Sequence, residues 1–175
     1  MNYIKDINLQ ENNYYNVVVE IPKGTNKKYE LIEPTFDKVK CMRKVVGKYP
    51  FYYGCFPQTY VGDKDPLDMI LLTNKKYKIL DVVKVEIIGV IKTLDAGYVD
   101  DKVLVKPIDE NIKNLDKLIN QVLPFLKTYK GKNADTIIDE TIYSSNTAKN
   151  IVNSGLIGYQ DKLERKLKSQ LKILF

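Results

Sequence analysis

The stretch Gly62-Asp63-Lys64-Asp65-Pro66-Leu67-Asp68 places three carboxylates within six residues and leads into the apolar run at 69–72. Carboxylates that lie close together raise one another's pKa unless a cation sits between them. A hard, oxygen-preferring ion such as Mg2+ would satisfy all three. Asp and Pro are also ordinary turn residues, so the heptapeptide alone is equally compatible with a solvated acidic turn.

The geometry expected for this stretch brings the acids together. The i, i+2 spacing of a strand would aim Asp63 and Asp65 at one side, and Pro66 would bend the chain so that Asp68 approaches the same volume. The same alternation would point Lys64 away from them.

Two other acidic motifs fit the stretch poorly. An EF-hand loop counted from Asp63 puts Asp68 where the loop needs Gly and Asn74 where it needs a bidentate Glu. An aspartyl-phosphate phosphotransferase needs a buried apolar strand directly before its acids, and residues 59–62 do not supply one. Calcium storage is therefore disfavoured, and phosphotransfer stays a weak competitor.

Composition removes several classes of enzyme. The 175 residues contain no histidine, which excludes Ser-His-Asp and Cys-His catalysis and the H-E-x-x-H metalloproteases. The two cysteines, Cys41 and Cys55, show no C-x-x-C spacing and are interpreted as reduced thiols. No apolar run approaches the roughly 18 residues of a membrane span, and residues 1–13 lack an apolar signal core. We therefore expect a cytoplasmic protein.

The charge balance is compatible with two kinds of partner. A net charge of +6, a pI of about 9.1 and thirteen tyrosines would suit a nucleic-acid binder. The lysines are spread along the chain, however, and modest positive charge also suits an enzyme whose substrate is an anion.

Periodicity predicts strands first and helices last. We expect strands at 16–21, 28–31, 39–46, 69–72, 82–91 and 102–106, with a bulge at Gly89. The aromatic stretch 49–54 is interpreted as a core plug capped by Gly54. Helices are expected at 115–128 with Asn114 as N-cap and a kink at Pro124, from Ser144 or Ser145 to Gly155, and at 159–173.

This order predicts a mainly β (α+β) fold, a small antiparallel barrel with C-terminal helices packed on it. No repeat or linker is visible. We expect a single domain over residues 1–175, with the barrel core at about 16–107 and the helices at about 114–173.

The order of the chemically informative residues resembles that of the soluble family I inorganic pyrophosphatases. The resemblance covers about 17–130, and its most specific parts are D-x-D-P-x-D at 63–68 and D-x4-D-x-K at 95–102. The residues that carry it are Glu20, Lys28-Tyr29-Glu30, Arg43, Tyr49-Pro50, Tyr53-Gly54, Asp63, Asp65-Pro66, Asp68, Asp95, Asp100, Lys102 and Tyr129-Lys130.

The resemblance implies a five-stranded OB-like barrel whose mouth holds several Mg2+ ions and one pyrophosphate. It implies that Asp63 binds the first metal, Asp65 is the general base for the attacking water, and Asp68 bridges the two activating metals. Asp100 would join the first metal site and share a further metal with Asp95.

The resemblance also implies the remaining roles at the mouth. Glu20 and Glu30 would lie in or near the outer metal shell. The two phosphates would be held by Lys28, Arg43, Tyr53, Lys102, Tyr129 and Lys130, with Lys132 a further candidate.

Two positions depart from the family pattern. Lys64 occupies a position that is usually small or polar, and an ammonium between two metal-binding acids would weaken metal affinity. Asp95-Ala96-Gly97 lacks an acid often found beside the first Asp.

The chemistry is consistent with this residue list. Two Mg2+ ions roughly 3.5–4 Å apart acidify a shared water, and Lys and Arg neutralise the leaving phosphate. From the residues alone, the prediction extends to metal-dependent chemistry on a phosphate.

Two other functions stay open: an OB-fold single-strand nucleic-acid-binding protein and a phosphatase acting on nucleotides or phosphoesters. A homo-oligomer is expected, with a hexamer favoured and a dimer as the alternative.

Overall fold

The computed structural model describes the backbone of residues 1–174 and the side chains of residues 1–172. Its strands are β1 (Gln10–Glu11), β2 (Tyr14–Ile21), β3 (Lys27–Leu31), β4 (Val39–Lys44), β5 (Tyr52–Cys55), β6 (Asp68–Leu71), β7 (Val82–Asp95), β8 (Tyr98–Val99), β9 (Lys102–Pro107) and β10 (Thr136–Ser144). Its helices are α1 (Leu115–Ile119), α2 (Val122–Leu126) and α3 (Ser145–Leu174).

Five of the strands close into a ring. β2 pairs with β5, β5 with β6, β6 with β9, β9 with β7, and β7 again with β2. This confirms the five-stranded OB-like barrel. One pairing differs from the antiparallel expectation, because β6 and β9 run parallel. The long strand β7 comes between them in sequence and reverses the chain once more before β9 joins β6.

The remaining strands extend or flank the ring. β1 pairs with β2, while β8 and β10 pair with β7. β3 and β4 form a separate two-stranded sheet beside the barrel.

Alternation along the strands produces two buried clusters on opposite faces. In β6, Met69 and Leu71 belong to a cluster that packs against the first turns of α3. Ile70 and Leu72 belong to a second cluster that includes residues of α1 and α2. The bulge predicted at Gly89 is confirmed, because the pairing of β7 with β9 shifts register there.

Four strands differ from the prediction, and two of them, β1 and β8, are two-residue strands that the sequence did not predict. The residues interpreted as a plug capped by Gly54 include strand β5, and Gly54 lies inside it. A Cβ at Gly54 would overlap the carbonyl oxygen of Val18 on the neighbouring strand, so glycine allows the close approach. The sequence did not predict β10, which lies between the predicted helices and extends the sheet beyond β7.

The helices also differ from the prediction. The expected helix at 115–128 is two short helices with a break at Asn120 and Gln121. Pro124 lies in the first turn of α2 and has no amide to donate to the Asn120 carbonyl, so the predicted kink is a full break. Asn114 is the N-cap residue, but its side chain makes no capping bond. The two predicted C-terminal helices form one continuous helix of 30 residues, α3, which Gly155 does not end.

Among the described helices, each is either too short or too polar to cross a bilayer. That the chain forms a single domain stays a prediction.

Candidate active site

All the site residues predicted from the sequence, apart from Lys132, line one cavity of about 350 Å³. The acidic members are Glu20, Glu30, Asp63, Asp65, Asp68, Asp95 and Asp100. The cationic and phenolic members are Lys28, Arg43, Tyr53, Lys102, Tyr129 and Lys130. Lys132, the further candidate for phosphate binding, is not among the lining residues.

The parallel pairing of β6 and β9 builds the centre of the cavity. It places Asp68 beside Lys102 in register, and the Lys102 ammonium donates to Asp68 Oδ2 at 2.6 Å and to Asp100 Oδ1. The Tyr53 hydroxyl, on β5, donates to the same Asp68 oxygen. Lys102 is 2% exposed, whereas the Asp68 side chain is 26% exposed, so Asp68 is the member of this network that solvent in the cavity reaches.

The acidic stretch is a turn and not an extended strand, which corrects the geometry expected from its spacing. The Asp65 amide donates to Asp63 Oδ1 at 3.1 Å, and the Lys64 amide donates to the Val61 carbonyl oxygen at 2.9 Å. Asp63 and Asp65 still face the cavity. Lys64 adopts a positive φ of 73° and lines a different groove, so it points away from the acids as predicted.

The second acidic loop is a tight hairpin between β7 and β8. Asp95 pairs with Tyr98, and the two intervening residues, Ala96 and Gly97, have φ of 48° and 81°. Two positive φ values in succession are typical of a type I′ turn. This turn accounts for Gly97, whereas Ala96 occupies a position that type I′ turns usually fill with Asn, Asp or Gly.

The chain after α2 brings Lys130 to this second loop. Its ammonium lies 2.7 Å from Asp95 Oδ2 and 3.8 Å from Asp100 Oδ2. Thr136, on β10, donates to Asp95 Oδ1 at 2.7 Å. Sequence analysis missed Thr136 because it did not predict β10, and no motif marked the residue.

The cavity acids are electrostatically crowded. Burial, followed by the charges of Asp63 and other acids, raises the pKa of Asp65 to about 6. Burial and the Asp68 charge raise the pKa of Asp100 to about 7. Burial also raises the pKa of Asp63. Such shifts show that these carboxylates lack sufficient positive charge in the metal-free arrangement.

Asp68 and Asp95 have lowered pKa values because lysines face them. Burial acts to raise the pKa of Asp68, but the ammonium groups of Lys102 and Lys28 outweigh it. Burial likewise acts to raise the pKa of Asp95, but hydrogen bonds from Lys130 and Thr136 outweigh it and lower the pKa.

Glu20 forms the inner wall of the cavity. Its Oε1 accepts from the Leu31 amide at 2.7 Å and thereby joins β2 to β3. Burial raises the pKa of Glu20 to about 8. Next to it, Glu30 forms an ion pair with Lys28 at 2.5 Å.

Arg43 supplies a cation that is free to meet an anion. Its guanidinium carbon lies 5.8 Å from the centre of the Tyr129 ring. In the part of the chain that the structure describes, no carboxylate lies within ion-pair distance of Arg43.

The donor set of the cavity suits a divalent metal, although the acids are not pre-arranged around one. Within residues 1–172, no three carboxylate or thiol side chains converge closely enough to hold an ion. Lysines occupy the spaces between Asp68, Asp95 and Asp100 instead. Carboxylate oxygens are the ligands that Mg2+ and similar hard ions prefer, and the raised pKa values show that added positive charge would stabilise them.

Comparison with known proteins identifies similar chains. The family model described as inorganic pyrophosphatase matches residues 17–160. An inorganic pyrophosphatase of Dictyostelium discoideum is 30% identical over an alignment that covers 94% of this chain and 71% of the relative. One from Sulfolobus acidocaldarius is 36% identical, with 66% of this chain and 73% of the relative covered.

Solved structures agree in fold. A type I inorganic pyrophosphatase from P falciparum superposes with a TM-score of 0.84 at 22% identity, covering 97% of this chain and 67% of that one. An inorganic pyrophosphatase from Neisseria gonorrhoeae gives a TM-score of 0.74 at 27% identity, covering 85% of this chain and 92% of that one.

Proposed function

Because the chain belongs to the family I inorganic pyrophosphatases, we propose that its acidic cavity hydrolyses pyrophosphate to two phosphates with Mg2+ as the metal and Asp65 as the general base. The observation that carries the proposal is the meeting, in one cavity, of an acidic group suited to metals and a cationic group suited to phosphates.

The metal ligands would be Asp63, Asp68, Asp95 and Asp100, with Glu20 and Glu30 behind them in the cavity wall. Bound Mg2+ would lower the pKa of a coordinated water and neutralise charge on the phosphates.

Asp65 is suited to act as the base because its carboxylate is free. Asp68, Asp95 and Asp100 are each engaged by a lysine. Among the described residues, no lysine or arginine lies within ion-pair distance of Asp65, and its side chain is exposed to the cavity. It can therefore accept a proton from a water attacking a phosphate held nearby.

The cationic side of the cavity would bind the substrate. Arg43 can approach a phosphate without first releasing a carboxylate, whereas Lys28, Lys102 and Lys130 are paired with acids. Added metal charge would compete with these lysines for the acids and free their ammonium groups for phosphate. The hydroxyls of Tyr53 and Tyr129 are buried donors at the same wall, and burial raises the pKa of both, so they stay protonated.

Phosphate release from pyrophosphate tests the function. We expect hydrolysis with Mg2+, loss of activity in excess EDTA and recovery when Mg2+ is restored. Asp65→Asn, purified in parallel, controls for a contaminating enzyme, and ATP tests for a general phosphatase. Activity that persists in excess chelator would contradict the metal mechanism, and equal rates on ATP would contradict the substrate assignment.

The alternative of a single-strand nucleic-acid binder is not favoured, because acids at the cavity mouth would repel a phosphate backbone. Salt-dependent binding to single strands without Mg2+, together with no phosphate release from pyrophosphate, would establish it.

We also propose a homo-oligomer, with a hexamer favoured over a dimer. The surface formed by β8 and β10 leaves Tyr98, Val99 and Ile137 more than half exposed, and it is the candidate contact. Light scattering that shows a stable monomer would contradict both states. A cytoplasmic location is proposed from the free cysteines Cys41 and Cys55.

A further inference from the structure

A second cavity of about 300 Å³ lies behind the acidic turn, outside the active site. We call it the back groove. Its walls come from the N-terminal segment at 2–5, the loop at 33–36, the segment at 59–66 and the α3 helix at 159–166. Its volume is at the lower end of the range of about 300–1,000 Å³ that small-molecule sites occupy.

The back groove is strongly basic. Lys5, Lys64, Lys162 and Lys166 line it. Among the lining residues, all of which the structure describes, Glu33 is the one carboxylate, and it lies 3.3 Å from Lys162. Four ammonium groups around one concave surface, with one counter-charge, favour an anionic ligand.

Aromatic rings make up much of the remaining wall. Phe36, Tyr60 and Tyr159 line the groove together with Ile4 and Leu163. The Lys162 ammonium lies 4.2 Å from the centre of the Tyr60 ring, so charge and ring are already combined there. A ligand that carries both phosphates and a planar ring would match this combination.

The groove shares the acidic turn with the active site. Asp63 and Asp65 line the catalytic cavity, whereas Lys64 between them lines the back groove. Pro66 lines both. A ligand that contacts Lys64 in the back groove therefore contacts the same turn that places Asp63 and Asp65 in the catalytic cavity.

The opposite wall of the groove is fixed to the barrel. The Tyr60 amide donates to the Gly155 carbonyl oxygen at 2.9 Å. A Cβ at Gly158 would overlap the Tyr60 carbonyl oxygen, so α3 packs directly against this part of the main chain. An anion held between Lys64 and the α3 lysines would tie the turn to an anchored element.

We propose that the back groove binds a nucleotide, with its phosphates on Lys5, Lys64, Lys162 and Lys166 and its base against the aromatic wall, and that occupancy raises the metal affinity of the active site. The bound phosphates neutralise the Lys64 ammonium, which otherwise opposes a cation at the neighbouring Asp63. They also hold the turn in one conformation. The effect on metal affinity rests on the proposed function, whereas nucleotide binding does not.

Binding is tested by calorimetry with ATP in EDTA, where hydrolysis at the active site does not proceed. We expect binding to the full chain that becomes about tenfold weaker in K64Q/K166Q, because each lost exposed charge pair should weaken binding about threefold. Arg43→Gln, an active-site variant, should bind ATP as the wild type does. Absence of binding at millimolar ATP, or loss of binding in Arg43→Gln but not in K64Q/K166Q, overturns the site.

Inorganic tripolyphosphate separates the role of the ring from that of the phosphates. We expect it to bind more weakly than ATP to the wild-type chain. Equal affinity for the two would overturn the assignment of a nucleotide.

The coupling is tested by the free Mg2+ concentration that gives half-maximal pyrophosphate hydrolysis, in metal-buffered solution. ATP should lower it several-fold in the wild type. Lys64→Gln should have a lower half-maximal Mg2+ concentration even without ATP, and added ATP should not lower it further. Lys166→Gln should have the wild-type value without ATP and should need a higher ATP concentration to lower it. An unchanged Mg2+ requirement with ATP bound overturns the coupling but leaves the binding result intact.

Discussion

Replacing Lys102 by methionine tests whether the lysines of the active site compensate for absent metal. Methionine keeps similar length and removes the ammonium that bonds to Asp68 at 2.6 Å and to Asp100. Removing one partner of a buried ion pair costs about 3–5 kcal/mol, because the other charge stays buried without compensation. With a urea m-value of about 2 kcal/mol per molar, the midpoint in EDTA should fall by about 2 M.

Two comparisons make this prediction specific. Lys106→Met, on the same strand, breaks an ion pair with Glu86, whose side chain is 51% exposed, and should cost at most about 1 kcal/mol. Mg2+ should stabilise Lys102→Met more than the wild type, because a divalent cation can replace the missing ammonium between Asp68 and Asp100.

The deficit of Lys102→Met should also depend on pH. Lys102 holds the pKa of Asp68 below the ordinary value of 3.8 that applies when the chain unfolds, so its loss raises that pKa above the unfolded value. Burial and Asp68 already raise the pKa of Asp100 to about 7, and loss of Lys102 raises it further. A folded-state pKa above the unfolded one destabilises the protein as pH rises between the two values. The deficit should therefore be present at pH 7.5 and small at pH 4. A cost below about 1 kcal/mol at pH 7.5 in EDTA, or one equal to that of Lys106→Met, would refute this reasoning.

Three further outcomes are expected. Asp65→Asn should lower kcat by on the order of 10^2 to 10^4, while its Mg2+ affinity in calorimetry stays within several-fold of the wild type. Asp68→Asn should also weaken Mg2+ binding. If Asp65→Asn lost Mg2+ binding but kept near-normal turnover at saturating metal, Asp65 would be a metal ligand and not the base. Glu20 has a pKa raised by burial to about 8 from 4.5, so wild-type stability in EDTA should fall as pH rises through that window. Glu20→Gln should flatten this dependence in urea unfolding, and an unchanged slope would contradict it. Gly158→Ala forces a Cβ against a main-chain oxygen and should cost about 1–3 kcal/mol, whereas Ile157→Ala, at an exposed neighbour, should be nearly neutral in the same assay.

The strands that could be predicted show either alternation, as in the first half of β7, where Val83 and Val85 are buried and Lys84 is exposed, or a β-branched run, as at 17–19 in β2. The strand β10 has Asp139 and Glu140 in its centre, where the register shifts, so neither half shows a full alternating pattern. Gly155 looks like a helix stop in the sequence, yet both it and Gly158 lie inside α3. Their role is to let α3 approach residues 59–60, a requirement that comes from tertiary packing.

The site residues could be predicted because their spacing follows a motif, but their pairing could not. The sequence places Asp63, Asp65 and Asp68 together whatever the local backbone does, which explains why the acids were identified even though the expected strand is a turn. Which oxygen each ammonium reaches depends on the strand register and on the path of the chain after α2. Neither is visible in a spacing pattern.

These pairings suggest that the lysines act differently in the two states of the site. Without metal, Lys102 and Lys130 neutralise Asp68, Asp95 and Asp100, which would otherwise repel one another inside a buried cavity. With metal bound, the ions would neutralise the same acids, and the ammonium groups would become available to the phosphates of the substrate. Metal binding and substrate binding should therefore be coupled through these two lysines. By the reciprocity of linked equilibria, a phosphate analogue should tighten Mg2+ binding by the same factor by which Mg2+ tightens the binding of the analogue.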